Sequence, residues 1–532
     1  MQMIIFLLGI LIVLTFLYRT IAVILSKRWI KDNLNNISLY DKNQWPELIL
    51  LIPGLREQSL VSETIEHFEK MEYIDGKLSV VFITTDKEKR HKEEKKRNLK
   101  SFFDANEATP SLKQITYTNN GVFPKYVLTK VYNILNQSEK NRRYADLVDL
   151  YQSLPTTEEL IRKEIMKSNK KNIFYHINYP HFNGGKPSQL NFGIENLSKV
   201  LKKSILEEDT YIGVYDFDSR PDFETAMYLG NYVARQKLQG KELPSMFQQM
   251  QYPLKDLKNI TGKGVQGTLL RGNAVLYLRH ALGIELYRNI RYKLVNKLSF
   301  NRFIKTIIRP VIYGIGAGMF INLRDLKKIG KFPEPQEDLA IGYRFSMLGK
   351  EIKAIPLANF VEPYDSYRQM LNSFSMTFLS SFLILRERKN IRRIPIKSPL
   401  SDIEMNALVA REWLECILWL VKLPLFILFF IVAYFYVKYT TLIILIVILI
   451  SIRFFLDMAV LSCFTNFIYR NYCKDQVLST NLNEIGFKEM IILIITSPIQ
   501  GIMQSIPPLY SLNRWFKTKV LNIKLERTKT ER

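Results

Sequence analysis

The residues best suited to chemistry are two aspartates one residue apart, Asp216 and Asp218, in the stretch Tyr211 to Asp222. Tyr211 to Tyr215 reads as a short buried strand, and Ser219-Arg220-Pro221-Asp222 ends it with turn residues. Residues i and i+2 of an extended segment point the same way, so both carboxylates can converge on one hard cation. Mg²⁺ or Mn²⁺ suits carboxylate oxygens combined with phosphate. The plainer reading of Asp-x-Asp is a solvated turn. A second acidic pair, Glu337 and Asp338, opens a predicted helix. Helix N-termini favour negative charge for structural reasons alone. Functionally, a carboxylate there can take the proton from an attacking hydroxyl. Between His181 and Asn191, Gly184-Gly185-Lys186 stands at a loop-to-helix junction. Backbone N–H groups and an ammonium can meet a phosphate there; an ordinary glycine turn is the alternative.

These groups need a frame. Leu48 to Pro53 reads as a buried strand, and Gly54-Leu55-Arg56-Glu57 as the loop after it. A helix capped by Ser59 or Ser62 should follow, with Ile65, Phe68 and Met71 on its apolar face. Leu78 to Thr84 is a second buried strand ending at Thr84-Thr85-Asp86. Strand, helix, strand implies a parallel sheet, hence an α/β fold. Asn172 to Tyr179, a helix and Tyr211 to Tyr215 give a second such unit. Ligands of open α/β sheets bind at the C-terminal ends of strands. Ser245 to Tyr252 reads as a glutamine-rich strand, Arg271 to Leu294 as helix and Ile352 to Pro356 as a further strand. Gly314, Gly316 and Gly318 would let backbone approach a ligand closely. Residues 87–171 read as a charged insertion, helical from Leu147 to Met166, with no role assigned.

The chain has 532 residues and a net charge of +25. Long apolar runs at both ends attribute that charge to a membrane surface and not to nucleic acid. Met3 to Leu25 is a span candidate followed by Lys27, Arg28 and Lys31, which places the following domain in the cytoplasm. Met370 to Leu385 reads as an interfacial helix within a 366–400 segment that ends in a basic linker. Trp413 to Val437 and Thr441 to Cys463 read as spans, with Arg453 and Asp457 paired at i, i+4 in the second. Met490 to Leu509, broken by prolines, reads as re-entrant before a basic tail over 511–532. The three cysteines and five histidines form no zinc or disulfide pattern. The expected organisation is a membrane helix over 1–26, a catalytic domain over 45–365 and a membrane region over 410–510.

Five stretches in one order carry a resemblance: Pro53 to Glu57, Gly184 to Asn191, Asp216 to Ser219, Gly314 to Phe320, and Gln336-Glu337-Asp338 with Gly342-Tyr343-Arg344. Together they resemble the membrane-bound family-two glycosyltransferases, which include cellulose, chitin and hyaluronan synthases and many exopolysaccharide transferases. The resemblance implies a GT-A (Rossmann-like) cytoplasmic domain with a mixed, mainly parallel sheet. It also implies a nucleotide-sugar donor, a UDP-sugar first, a glycan or lipid-linked acceptor, Mg²⁺ or Mn²⁺, and inversion. Pro53, Glu57, Thr85 and Asp86 would hold the nucleotide and Lys186 would lie near the donor. Asp216 and Asp218 would fix metal and diphosphate, and Asp338 would be the base, with Glu337 and Arg344 as further candidates. The setting would be the plasma membrane. The Gln-x-x-Arg-Trp of processive synthases is missing; Tyr367 to Met376 stands in its place. That absence leaves single transfer open, and with it a catalytically inactive subunit that binds nucleotide or glycan.

Overall fold

The computed structural model describes residues 2–34, 40–90, 92–94, 96–97, 123, 127–137, 142–255, 257, 265–334, 336–364, 366–436, 444, 454–468 and 485–519. The chain folds as two compact units. The smaller contains Glu47–Leu206 and Val214–Asp218; the larger contains Met1–Pro46, Glu207–Gly213 and Ser219–Leu525.

In the smaller unit β1 (Glu47–Pro53), β2 (Leu78–Thr85) and β3 (Phe174–Tyr179) lie in the order β3-β2-β1. All pair in parallel, Leu50 opposite Val80 and Val80 opposite Phe174. β2 is buried along its whole length and β1 in all but its end residues, so their centres, Leu48 to Ile52 and Val80 to Ile83, read as unbroken apolar runs. The Lys186–Leu201 helix packs closely enough that a Cβ on Gly193 would stand 2.6 Å from Ile83 Cδ1. The Val61–Glu69 helix begins without the serine cap expected for it. It is fixed instead by Thr64, whose hydroxyl donates to the Phe217 carbonyl at 2.7 Å.

The described residues of the expected charged insertion include helices, and most of 98–126 lies outside the described residues. The Leu128–Gln137 and Arg143–Ser153 helices close a small core around Val131, Leu135, Leu147 and Tyr151. The run expected to be helical from Leu147 to Met166 is split. Leu154 turns extended ahead of Pro155, and Thr156 then starts the Thr157–Lys167 helix with a reciprocal capping box to Glu159.

In the larger unit β4 (Thr210–Val214), β5 (Arg220–Pro221), β6 (Met246–Tyr252), β7 (Met319–Asn322) and β8 (Ile352–Phe360) follow the order β4-β7-β6-β8-β5. β6 pairs with β8 in parallel and with β7 in antiparallel, and β5 with β8 in antiparallel, so the sheet is mixed. β8 runs four residues beyond the expected end at Pro356. Between β6 and β7 the Val265–His280 helix leads through a π-helical turn, Ala281–Leu286, into the Tyr287–Lys297 helix.

The expected spans at both ends are met only in part. Among the described residues, one helical stretch, Phe487–Lys517, is long and apolar enough to cross a membrane by length and composition. Pro498 lies inside the Phe487–Met503 helix, and Pro507 opens the next one, Pro507–Lys519, where a missing N–H is harmless. The Gln2–Leu34 and Asp402–Tyr436 helices cover the expected runs at Met3 and Trp413. Most of the run from Thr441 to Cys463, with Arg453, lies outside the described residues. Asp457 is described, and it pairs with Arg279 at 3.2 Å and accepts from Thr20 Oγ1 at 2.5 Å. The Tyr367–Ser381 helix, expected at an interface, packs through Ser375 on Ser511, hydroxyl to hydroxyl at 2.9 Å.

Candidate functional site

In the smaller unit the expected residues gather where β1, β2 and β3 end. Pro53 closes β1, and the next residue, Gly54, crosses Phe217 so tightly that a Cβ would meet its ring at 2.4 Å. Phe217 is buried against Phe82, ring centroids 5.7 Å apart. The two flanking aspartates are therefore anchored by the residue between them. Asp216 is partly exposed, and its Oδ1 lies 2.8 Å from Lys186 Nζ. Asp218 is buried. Lys186 is the first residue of its helix, after a Gly185 cap. Gly184 has φ +99°, and a Cβ there would stand 2.7 Å from Ser188 Oγ. Its glycine is thus required both by backbone conformation and by space.

The loop after β1 is organised by an acid that the sequence reading passed over. Buried Glu88 accepts from the Thr157 amide at 2.9 Å, the Thr157 hydroxyl at 3.2 Å and Gln58 Nε2 at 2.7 Å. Its other oxygen accepts from the Arg56 amide at 3.2 Å. Arg56 has φ +58°, a left-handed conformation unfavourable for a residue with a Cβ. Glu57 is buried, and its amide donates to Thr157 Oγ1 at 2.9 Å. The helix that begins at Thr157 thus belongs to this site.

Thr85 and Asp86 sit at the end of β2. Thr85 Oγ1 donates to the His181 carbonyl at 3.3 Å and accepts from the Lys87 amide at 3.2 Å. Asp86 Oδ1 accepts from Asn178 Nδ2 at 2.8 Å and from Lys89 Nζ at 3.2 Å. The Asn178 bond, with Lys89 beside it, holds the Asp86 carboxyl below its ordinary range. A directed chain continues inward. Thr84 Oγ1 donates to Asn178 Oδ1 at 3.0 Å, so its remaining contact, His176 Nε2 at 2.8 Å, must be a donor to it. His176 Nδ1 is then the bare ring nitrogen, buried without a partner. Burial, followed by the positive charge of Arg162, pulls the His176 pKa down to about 4.

In the larger unit Asp338 is in the first turn of the Glu337–Met347 helix, and its Oδ1 accepts from the Leu339 amide at 2.8 Å. The glycine loop runs beside it. Gly316 has φ +75°, and a Cβ there would lie 3.3 Å from Asp338 Oδ2. A Cβ on Gly342 would fall 2.2 Å from Tyr313 Cα, so helix and loop touch backbone to backbone. Glutamines of β6 hold the loop. Gln248 Oε1 accepts from the Ile315 amide at 3.0 Å, and its Nε2 donates to the Ala317 carbonyl at 3.2 Å. Gln251 Nε2 donates to the carbonyls of Ile315 and, at 3.1 Å, Ala317. Glu337 is buried. Arg344 is buried too, with its Nε 2.6 Å from Glu387 Oε2 and its Nη1 donating to the Ile329 carbonyl at 2.7 Å, a structural setting.

Among the described residues, no three of His, Cys, Asp and Glu assemble to hold a metal ion. The donor set expected here would be the two carboxylates of Asp216 and Asp218. That suffices for an ion such as Mg²⁺, which keeps water and takes phosphate oxygens alongside one or two protein carboxylates.

No family model matches the chain, and no curated protein matches it. Among solved structures it is similar to a mannosyltransferase from Pyrobaculum calidifontis in complex with GDP-mannose and Mn²⁺. Identity is 11%, over 92% of this chain and 98% of that one, at a TM-score of 0.38. It is also similar to residues 1–349 of TarS from S. aureus, at 10% identity over 88% and 92% of the two chains and a TM-score of 0.35. The same protein in complex with UDP-GlcNAc gives 9% identity, 88% and 92%, and a TM-score of 0.33.

Sequence reading missed Glu88, Lys89, Thr157, His176 and Asn178. Only Phe174 of β3 is buried and the rest of the strand, His176 and Asn178 included, is half-buried, so reading it as plain core hides both residues. Glu88 and Lys89 were lost in a run of charges. The β6 glutamines were noticed, and their partners explain them.

Proposed function

We propose that the protein is an inverting glycosyltransferase. In this reading it takes a sugar from a cytoplasmic nucleotide sugar, a UDP-sugar first, and passes it to a glycan or lipid-linked acceptor. The product would enter cell-surface polysaccharide or glycolipid synthesis at the plasma membrane. The observation that carries the reading is the Lys186–Asp216 pair at 2.8 Å, beside buried Asp218, at the ends of parallel strands. The ordered motifs and the glycine loop against Asp338 support it.

Each residue then has a task. Lys186 at its helix N-terminus binds diphosphate, where the helix also favours anions. Pro53 to Glu57, Thr85 and Asp86 form the nucleotide side, kept in shape by Glu88. Asp216 and Asp218 are the residues that would hold Mg²⁺ or Mn²⁺. A bound ion of this kind offsets the negative charge that collects on the departing diphosphate. Asp338 takes the proton from the acceptor hydroxyl as its oxygen bonds to the anomeric carbon. The bond from that carbon to diphosphate oxygen breaks, its electron pair leaves with the nucleotide, and the configuration inverts.

The test is nucleotide release by the purified full chain in nanodiscs. UDP-, GDP- and CDP-sugars are offered with Mn²⁺ and membrane lipid extract, beside Asp338→Asn. Release from one donor, lost in the mutant and on chelation, is the expected result. Silence across the panel with nucleotide still bound would favour the inactive subunit.

A further inference from the structure

Residues 287–309 contain seven basic residues and no acidic one. They fold as the Tyr287–Lys297 helix, a bend, and the Arg302–Ile308 helix. The exposed residues of this hairpin include six large apolar ones, interspersed with Asn296, Lys297, Ser299, Asn301 and Arg302. Leu294, Leu298, Phe300, Phe303, Ile304 and Ile307 are all between 38% and 50% exposed. Six large apolar side chains within fourteen residues make a patch, not scattered exposure. Lys297 is exposed; Lys293 and Lys305 are half-buried, with Lys293 Nζ over the Trp29 ring and Lys305 Nζ donating to the Asn296 carbonyl at 3.0 Å.

The hairpin is fastened to the foot of an apolar helix. Arg302 reaches Glu404 with both Nε, at 3.2 Å, and Nη2, at 3.0 Å, and the Thr306 hydroxyl donates to the same carboxylate at 3.2 Å. Arg411 Nη1 donates to the carbonyls of Ile307 and Arg309 at 3.1 Å each, and to that of Ile308. Those are the unpaired carbonyls of a helix end. Both acceptor and donor residues lie on the first turns of the Asp402–Tyr436 helix. Two residues beyond Arg411 that helix begins its own exposed apolar face, with Trp413, Leu414, Ile417 and Leu418. The basic hairpin and the apolar helix face are therefore adjacent along one structure.

We propose that the 287–309 hairpin is a membrane-surface foot that lies in the headgroup layer of an anionic phospholipid bilayer. Its apolar side chains enter the acyl boundary, and exposed Lys297 meets lipid phosphate, joined by Lys305 when its ammonium leaves the Asn296 carbonyl. A segment with exposed apolar side chains, an exposed lysine and no acidic residue of its own has the composition that a headgroup-layer contact needs. Arg288 is not among the headgroup ligands, because it is spent on Glu412 at 3.1 Å and on Glu415. The inference is independent of the proposed catalysis.

The test uses the full chain with Cys416, Cys463 and Cys473 replaced by serine and a polarity-sensitive nitrobenzoxadiazole label on Phe303→Cys. A control label goes on Leu238→Cys, an exposed position ending the Thr225–Leu238 helix. Thermal unfolding like that of the unlabelled chain qualifies each protein. In vesicles of phosphatidylcholine with phosphatidylglycerol, shallow spin-labelled lipid should quench position 303 roughly threefold more than position 238. Lys297→Gln with Lys305→Gln, or omission of phosphatidylglycerol, should lower that difference. Equal quenching at the two positions would overturn the proposal. So would a label shielded from lipid but showing energy transfer between copies, which would make this face a contact with a second chain.

Discussion

Lys186 Nζ and Asp216 Oδ1 stand 2.8 Å apart, a cation and an anion both partly open to solvent. In the proposed reaction the diphosphate would compete for this lysine, which would free the carboxylate for a divalent ion. Lys186→Met should therefore raise the donor KM by roughly 10- to 100-fold, the value of one charge-assisted hydrogen bond. Asp216→Asn should abolish the metal dependence along with the activity. Nucleotide release as a function of donor and Mn²⁺ concentration measures both.

Gly316→Ala adds a methyl group 3.3 Å from Asp338 Oδ2 at a residue with φ +75°. Backbone strain of about 1 kcal/mol is expected, within the tolerance of the fold. The larger effect falls on the carboxylate, so kcat should drop about tenfold with donor KM unchanged. Gly342→Ala should behave differently. Its Cβ would overlap Tyr313 Cα at 2.2 Å, and a backbone clash of that kind should destabilise by more than about 3 kcal/mol. Steady-state kinetics and denaturant unfolding separate the two.

Glu88→Gln replaces one acceptor oxygen of a four-bond carboxylate with an amide that can only donate. A loss of about 1–3 kcal/mol is expected from the donors left unsatisfied. The Pro53–Glu57 loop should loosen, and hydrogen exchange at Arg56 and Thr157 should speed up. Arg56→Gly is the complement, relieving φ +58° and costing little.

His176 has a pH signature. Its pKa falls from the ordinary 6.5 when unfolded to about 4 when folded. The unfolded chain binds the extra proton between those values, so this contribution to stability is complete above pH 6.5 and is lost as pH falls toward 4. The loss is at most about 3 kcal/mol. His176→Gln, which can still donate to Thr84, should flatten the dependence in urea unfolding between pH 4 and pH 7.

How much of this was written in the chain depends on how locally each feature is specified. β1 and β2 are buried on both faces, so their sequence is a plain apolar run and their parallel pairing follows. Asp216, Asp218, Lys186 and Asp338 stand in short motifs, so they are legible locally as candidates. By contrast, the Glu88 cluster joins residues up to 100 positions apart, as between Glu57 and Thr157. No local pattern encodes that. β7 has four residues and lies next to glycines, too short for a period to show. The small core around Leu147 and Tyr151 is hidden because its apolar residues are diluted by surface charge.

The clamp on the glycine loop is made of amides. Gln248 and Gln251 hold it through neutral donors and acceptors, and Gln249 donates to the Ala358 carbonyl at 2.8 Å from the same strand. Amides do not titrate, and salt screens their bonds little. The mould around Asp338 should thus keep one shape across a wide range of acidity and ionic strength. Charge at that spot would then be written by the carboxylate and by whatever ligand arrives, with the scaffold serving as an electrical insulator.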